Sequence, residues 1–386
     1  MKLFKKTLKF TGLILLLSFI SLYVFDYEYI LKGIRVVYFT GHTSAYIDDT
    51  KHFDTHTIKK GATQKWELHK NYNQTTPPEA LLETHKNLET SAFLIIKNDS
   101  IFYENYAEGY SNDSQTNSFS MAKSIVTAML FKAIADGFIK SIDTKVQSIL
   151  PEVSGKYASE LSVGDLSSMS SGLNWTESYS SPFSITAKTY YDTNIRDLTL
   201  GLKVIDKPGQ EFKYLSGATQ LLGMVIEKAT NQSLSSYLSK NFWKPMGMNS
   251  DALWQIDSNE SGLEKAYCCI ASNARNFARF GKLWNNNGSW NGKQLIPEQL
   301  TKLAKEPRFP ESINYGYGLW LSNYKGKKIS YMRGILGQYV ISIPEDNIII
   351  VRLGYKRTKT DPFKNAGNDF NTYIDATYEM LAQQTN

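Results

Sequence analysis

Strand-forming sequence occurs at two widely separated places in this chain and is scarce between them. Residues 91–97 (Ser-Ala-Phe-Leu-Ile-Ile-Lys) and 101–106 (Ile-Phe-Tyr-Glu-Asn-Tyr) flank a turn at Asn98, Asp99 and Ser100, the pattern of a hairpin. Further strand runs lie at 317–321, 328–332, 338–343 and 347–353, the last two joined by a turn at Pro344, Glu345 and Asp346. From about 140 to 310 the chain reads as helical pieces, clearest at 218–230, 234–242 and 273–284, divided by loops rich in Ser, Gly, Asn and Pro. A final helix is expected at about 370–382. The two sets of strands can bury their apolar faces together only if the ends of the chain meet. The expected fold is therefore α+β, with one antiparallel sheet flanked by helices and an all-helical region inserted at about 140–310. A cleft should form where the insertion meets the sheet.

Composition narrows the function classes. Of 386 residues, 42% are hydrophobic and 21% charged, an ordinary globular balance. The net charge of +6 is mild and partly confined to the N-terminus. No basic stretch interleaved with aromatics suits a nucleic-acid partner.

Lys2, Lys5, Lys6 and Lys9 precede an apolar run from Phe10 to Phe25, and Asp26 and Glu28 follow it. Lysine before the run and acid after it orient the start of the segment to the cytoplasm and the remainder outside. Bulky Phe19, Ile20, Leu22 and Tyr23 stand where a cleavage site would need small residues, which favours an uncleaved inner-membrane anchor at residues 1–25, with a cleaved signal segment as the alternative. The rest would face the periplasm or cell exterior. Residues 26–77 lack sustained periodicity and read as a spacer, in part folded onto the main domain. Pro77 and Pro78 end it, and a domain at 78–386 follows. The only cysteines, Cys268 and Cys269, are adjacent. They have no zinc spacing and cannot staple distant segments, and they read as a pair of small buried side chains.

All five histidines lie between His42 and His85. Serine–histidine catalysis and histidine-based metal sites are thereby nearly excluded for the main domain, and neither metal nor cofactor is expected. Lysine and tyrosine remain as groups able to activate a serine near neutral pH. Ser120-Met121-Ala122-Lys123 opens a helix whose residues Ile125, Val126, Met129, Leu130, Ala133 and Ile134 fall at helical spacing and which Gly137 should stop. Ser120 and Lys123 are one turn apart, and burial would lower the lysine pKa until its neutral form can take the serine proton. A second such spacing, Ser322 to Lys325, falls in a turn and is given no role. Tyr214-Leu215-Ser216-Gly217 precedes another helix, and a tyrosine near a cation can relay a proton. Arg333-Gly334-Ile335-Leu336-Gly337-Gln338 lies at a strand, where glycine permits the close approach an oxyanion donor needs.

Together these three elements resemble the serine β-lactamase and penicillin-binding-protein superfamily. Met169-Ser170-Ser171-Gly172-Leu173-Asn174-Trp175, the Tyr214 segment, Ala274-Arg275-Asn276-Phe277-Ala278-Arg279-Phe280-Gly281 and Gly337-Gln338 look like its class C-like branch, which includes esterases and 6-aminohexanoate-dimer hydrolases. The resemblance spans about 90 to 380. It implies a β-lactamase/transpeptidase-like fold, Ser120 as acylated nucleophile, Lys123 as base and Tyr214 as proton relay. It also implies an oxyanion hole from the backbone N–H groups of Ser120 and Ile335. Tyr179 matches a loop tyrosine that contacts the leaving amine, and Ser216, Arg333 and Gly334 would bind substrate. Two departures bear on specificity. Ser216 stands where β-lactamases usually carry Asn, and Met332-Arg333-Gly334 replaces the usual Lys-Thr-Gly. The expectation is an exported serine hydrolase of small esters or amides. A D-alanyl carboxypeptidase or β-lactamase, and a non-catalytic binding or sensor module, are the alternatives.

Overall fold

The computed structural model describes residues 2–358 and 367–384. Its centre is a seven-stranded sheet. From one edge the strands run Trp320–Tyr324, Lys327–Gly334, Gln338–Ile343, Ile348–Gly354, Thr90–Lys97, Ser100–Tyr106 and Glu67–Leu68. The first six pair antiparallel, and the short last strand pairs parallel to its neighbour. The ends of the chain meet where Ile348–Gly354 pairs with Thr90–Lys97, placing Ile350 opposite Ile95. Both strands are almost wholly buried, which explains why they read as continuous apolar runs rather than as alternating ones.

Helices cover both faces of the sheet. Consecutive strand residues point to opposite faces, and Tyr339 packs on Phe370 and Tyr373 of the helix Asn368–Ala382. Its neighbour Val340 faces the helix Ala274–Asn285, where a Cβ on Gly281 would come within 2.9 Å of Val340 and 2.7 Å of Ile349. Glycine thus lets that helix lie close on the sheet. The helix Ala122–Ala135 is buried on nearly every side, as an all-round apolar helix must be. Gly137, at φ +79°, ends it.

Three details differ from the sequence expectations. The strand expected at 317–321 begins at Trp320, because Gly318 takes φ +67° and its Cα lies against Thr127. The helix expected at 234–242 is α-helical only over Leu234–Leu238 and continues as a wider π turn, Ser239–Trp243. The inserted region is mostly but not wholly helical. Its strands Ala252–Gln255 and Ile270–Ser272 join Thr55–Ile58 and Thr116–Asn117 in a second, four-stranded sheet. These strands have two to four residues, too few to carry a readable period.

Much of the segment 26–77 is packed against the domain. Thr55–Ile58 pairs with Ala252–Gln255, the Gln64 amide bonds the Gly247 carbonyl at 2.9 Å, and Tyr29 donates to the Pro182 carbonyl at 2.9 Å. At the N-terminus, the helix Lys2–Val24 is longer than the apolar run alone because its lysines continue the helical path. Within it Phe4–Val24 is long and apolar enough to cross a membrane, with mean hydropathy 1.8 and none of that window buried.

His56 ties the second sheet to the insertion. Its Nδ1 lies 2.9 Å from Glu264 Oε1, and Glu264 is fully buried and also accepts from the Ser235 amide at 3.0 Å. The hydrogen bond to Glu264 raises the imidazole pKa above its usual 6.5, although burial opposes it. A raised pKa stabilises the fold fully below the unfolded value and loses that contribution as pH rises through the folded one. The Tm difference between wild type and His56→Gln should therefore be larger at about pH 6 than at about pH 9, measured by thermal unfolding of both proteins across that range. An equal difference at both ends would show that the imidazolium contributes nothing.

Candidate active site

The turn ahead of Ser120 is set by the second sheet. Thr116 and Asn117 pair with Ser272 and Ala271, and the Ser118 amide bonds the Ile270 carbonyl at 2.8 Å. Asn117 Oδ1 then accepts from the Phe119 amide at 2.9 Å. Phe119 takes φ +45°, uncommon for a bulky residue and typical of places where surrounding structure fixes a sharp turn. A 3-10 turn, Phe119–Met121, follows and feeds the helix Ala122–Ala135. The same sheet positions the segment before Ile270, so the Tyr267 carbonyl and the Ser120 turn share one frame.

Lys123 is 2% exposed. Its Nζ donates to Ser120 Oγ at 3.0 Å and to the Tyr267 carbonyl at 2.8 Å, and it stands 5.2 Å from the Tyr214 ring centroid and 5.5 Å from that of Tyr267. Burial lowers its pKa to about 8, with Glu177 pulling the other way. Tyr214 also bonds Ser120. Its burial raises the phenol pKa, while the bond to Ser120 lowers it.

Glu177 is the residue that sequence reasoning missed. Its Oε2 accepts from Trp175 Nε1 and the Ser216 amide, both at 2.7 Å. Its Oε1 accepts from Ser216 Oγ at 2.7 Å and the Tyr179 hydroxyl at 2.5 Å. One carboxylate therefore joins the loop after the Met169–Trp175 segment to the start of the helix Ser216–Thr230, just beyond Tyr214. Tyr179 keeps 49% of its surface exposed, but its hydroxyl end is enclosed, and burial followed by Glu177 raises its pKa. Gly217 lets this assembly close, since a Cβ there would sit 2.6 Å from the Trp175 ring.

The third motif closes the site from the main sheet. Arg333 is buried, with its guanidinium 5.2 Å from the Trp320 ring centroid and a hydrogen bond to the Tyr331 side chain. A Cβ on Gly334 would lie 2.4 Å from the Ser118 carbonyl, so glycine permits the strand end to abut the serine turn. Ile335 opens the next turn, in which Leu336 and Gly337 take φ +62° and +80°. Arg352, fully buried, holds that turn by donating to the carbonyls of Leu336 at 2.8 Å and Gly337 at 2.9 Å, and it reaches Leu88 and Thr90 as well.

Ser120, Tyr179, Tyr214, Arg333, Gly334 and Ile335 line one small recess. Ser120, Tyr179, Ser216 and Ile335 also line a larger one, and Lys123 lies beneath Ser120. All the residues singled out from the sequence thus gather at one place. The Ser322–Lys325 spacing does not join them. Lys325 pairs with Asp375 at 2.6 Å on an exposed hairpin. Cys268 and Cys269 are buried as expected, but they are joined in a disulfide, with Cys269 in the left-handed conformation at φ +76°. Among the described residues, no three of His, Cys, Asp and Glu cluster as a metal site would require.

Residues 79–372 match the beta-lactamase family, and the chain belongs to it as a serine hydrolase. The 6-aminohexanoate-dimer hydrolase of Paenarthrobacter ureafaciens is 24% identical over 287 residues, which cover 68% of this chain and 72% of that protein. A Bacillus anthracis structure with a provisional 6-aminohexanoate-dimer hydrolase name superposes with a TM-score of 0.74 at 20% identity, covering 88% of this chain and 93% of that one. The octameric penicillin-binding protein homologue from Pyrococcus abyssi gives 0.61 at 19% identity, over 78% and 76% of the two chains. Both structures share this β-lactamase-like α+β fold.

Gly217 offers a test of this packing. Gly217→Ala drives a methyl group into Trp175 and should cost about 1–3 kcal/mol, the size of core overpacking, read as a lower denaturation midpoint. Unchanged stability would mean that Trp175 moves freely away.

Proposed function

We propose that this protein hydrolyses small esters or amides through an acyl-enzyme on Ser120. The observation that carries this reading is the 3.0 Å contact between Ser120 Oγ and the buried Lys123 Nζ. A lysine with a pKa near 8 is partly neutral at physiological pH. In its neutral form it takes the Ser120 proton as Oγ attacks the substrate carbonyl. The backbone N–H groups of Ser120 and Ile335 receive the developing oxyanion. Tyr214, bonded to Ser120, passes a proton to the leaving alcohol or amine, and water then releases the acyl group. Tyr179, Ser216, Arg333 and Gly334 form the substrate contacts. The name of the Paenarthrobacter relative, a 6-aminohexanoate-dimer hydrolase, supports amides as well as esters. The N-terminal helix anchors the chain in the inner membrane, with the catalytic domain outside, and the lysines before it and the acids after it support that orientation. A non-catalytic module would have no use for the three side chains meeting at Ser120.

A second reading, a D-alanyl carboxypeptidase or β-lactamase, has one observation in its favour. Arg333 and Arg357 line the small recess with Ser120, so a substrate carboxylate has cations there despite the missing third-motif lysine. Comparing penicillin and short-ester kcat/KM on wild type and Arg333→Ala separates the two. The esterase reading expects esters to lead by at least about tenfold, a difference of about 1.4 kcal/mol. Penicillin turnover that leads and collapses in Arg333→Ala would select the second reading.

Ser120 should be labelled by fluorophosphonate probes, and Ser120→Ala should lose both labelling and turnover. Labelling that persists in Ser120→Ala would remove the nucleophile assignment. For the base, kcat/KM should climb with pH up to about 8 and then level, because only neutral lysine accepts a proton. Lys123→Ala should lose about 100-fold or more in rate while remaining folded. A flat profile with full activity in folded Lys123→Ala would refute the lysine mechanism.

A further inference from the structure

Two recesses meet at Ser120, and they differ in character. The smaller holds Tyr214, Trp320, Arg333 and Arg357. The larger, about 240 Å³, does not include Tyr214. Its walls are Phe119, Tyr190 and Tyr191 on the domain side and Tyr29, Ile34 and Val37 on the other. The last three belong to the helix Tyr29–Val37, which precedes the family match at residue 79. This helix is fastened in place. Tyr29 bonds the Pro182 carbonyl, Lys32 lies 4.9 Å from the Phe53 ring centroid, and Lys188 pairs with Asp26 just ahead of it.

Position relative to Tyr214 orders the substrate. If Tyr214 protonates the leaving group, that group lies in the smaller recess and the acyl group must lie in the larger. The aliphatic and aromatic walls there suit hydrocarbon, and each methylene taken from water strengthens binding about threefold to fourfold. The rim is also apolar. Tyr38, which lines the recess, is 64% exposed, and Phe39 and Phe183, next in the chain to the lining residues Tyr38 and Pro182, are 82% and 63% exposed, with Phe183 edge-on against Tyr27 at 5.4 Å. The helix Lys2–Val24 ends five positions before Tyr29, so an anchored chain would hold this rim at the membrane surface, where aromatic residues concentrate.

We infer that the helix Tyr29–Val37 and the Tyr190–Tyr191 wall form an acyl-chain site, and that the preferred substrates are amphiphilic esters or amides with a medium-length hydrocarbon acyl group. The inference rests on the acyl-enzyme reading and adds the substrate class. It gives the N-terminal helix Tyr29–Val37 a part in specificity.

The test is a chain-length series of p-nitrophenyl esters, acetyl, butyryl and octanoyl, on the full chain reconstituted in phosphatidylcholine vesicles. Wild type should show an octanoyl-to-acetyl ratio of kcat/KM of at least about ten. Ala187 also lines the larger recess, and Ala187→Trp, which fills it from the domain side, should lower that ratio at least about fivefold. Ile34→Asp, at a partly exposed position on the opposite wall, should do the same if the tryptophan variant fails to fold. Partitioning of the esters into the vesicles is equal for every variant and cancels between variants, and the wild-type ratio is corrected by the measured partition coefficient of each ester. A wild-type ratio at or below one, or folded variants that keep the wild-type ratio, would overturn the acyl site while leaving the Ser120 assignment intact. Turnover that survives in Ser120→Ala would instead overturn the nucleophile on which the site depends.

Discussion

A lysine sealed from water at the head of a buried helix is the constraint around which the rest of this structure is arranged. An isolated ammonium in such a place is costly, and the protein meets the cost with two acceptors, the Tyr267 carbonyl and Ser120 Oγ. Each acceptor must be held accurately, because a drift of either leaves the charge unpaired. The same burial that makes Lys123 demanding lowers its pKa towards the range in which a base is useful. Stability and chemistry thus place the same requirement on the frame. Ser120 and Tyr267 have to stay where Lys123 needs them.

That frame comes from three separate parts of the chain. The second sheet fixes the Phe119 turn and, through Ile270–Ser272, the segment carrying Tyr267. Glu177 collects four donors and locks the loop of Tyr179 to the start of the helix behind Tyr214. Arg352 plays the corresponding part for the turn that begins at Ile335. Its guanidinium satisfies backbone carbonyls that would otherwise be buried without partners, a defect worth about 1–3 kcal/mol each. The second sheet, Glu177 and Arg352 each fix one wall of the cleft.

What could be read in advance follows from the range over which a signal acts. The main-sheet strands were legible because six to eight consecutive residues share a buried environment. The Ser120–Lys123 pair was legible because helical spacing alone brings the two residues together. Glu177 was not, since an acid in a polar loop has the same appearance whether it meets water or joins its neighbours Trp175 and Tyr179 to the distant Ser216. Arg352 was hidden in an apolar strand, where one charged residue resembles an edge position. The second sheet draws its strands from residues 55 to 272, and no local period records such pairings. The disulfide also depends on a local backbone conformation, the left-handed one at Cys269, that residue identity does not announce.

The segment before the family match illustrates the same point energetically. Asp49 is fully buried and accepts from the Tyr190 hydroxyl at 2.6 Å, from Asn117 at 3.0 Å and from Gln255 at 3.2 Å. Burial raises its pKa to about 6 despite those bonds. Asn117 is the residue whose other amide atom holds the Phe119 turn, and Tyr190 lines the larger recess. One carboxylate in the supposed spacer therefore fastens both the turn that presents Ser120 and the aromatic wall beside it. Deleting that segment would leave Asn117 and Tyr190 without their common acceptor. The packing around Ser120 consequently includes residues ahead of Pro77 and Pro78, and the Tyr190 wall and the serine turn share Asp49 as an acceptor.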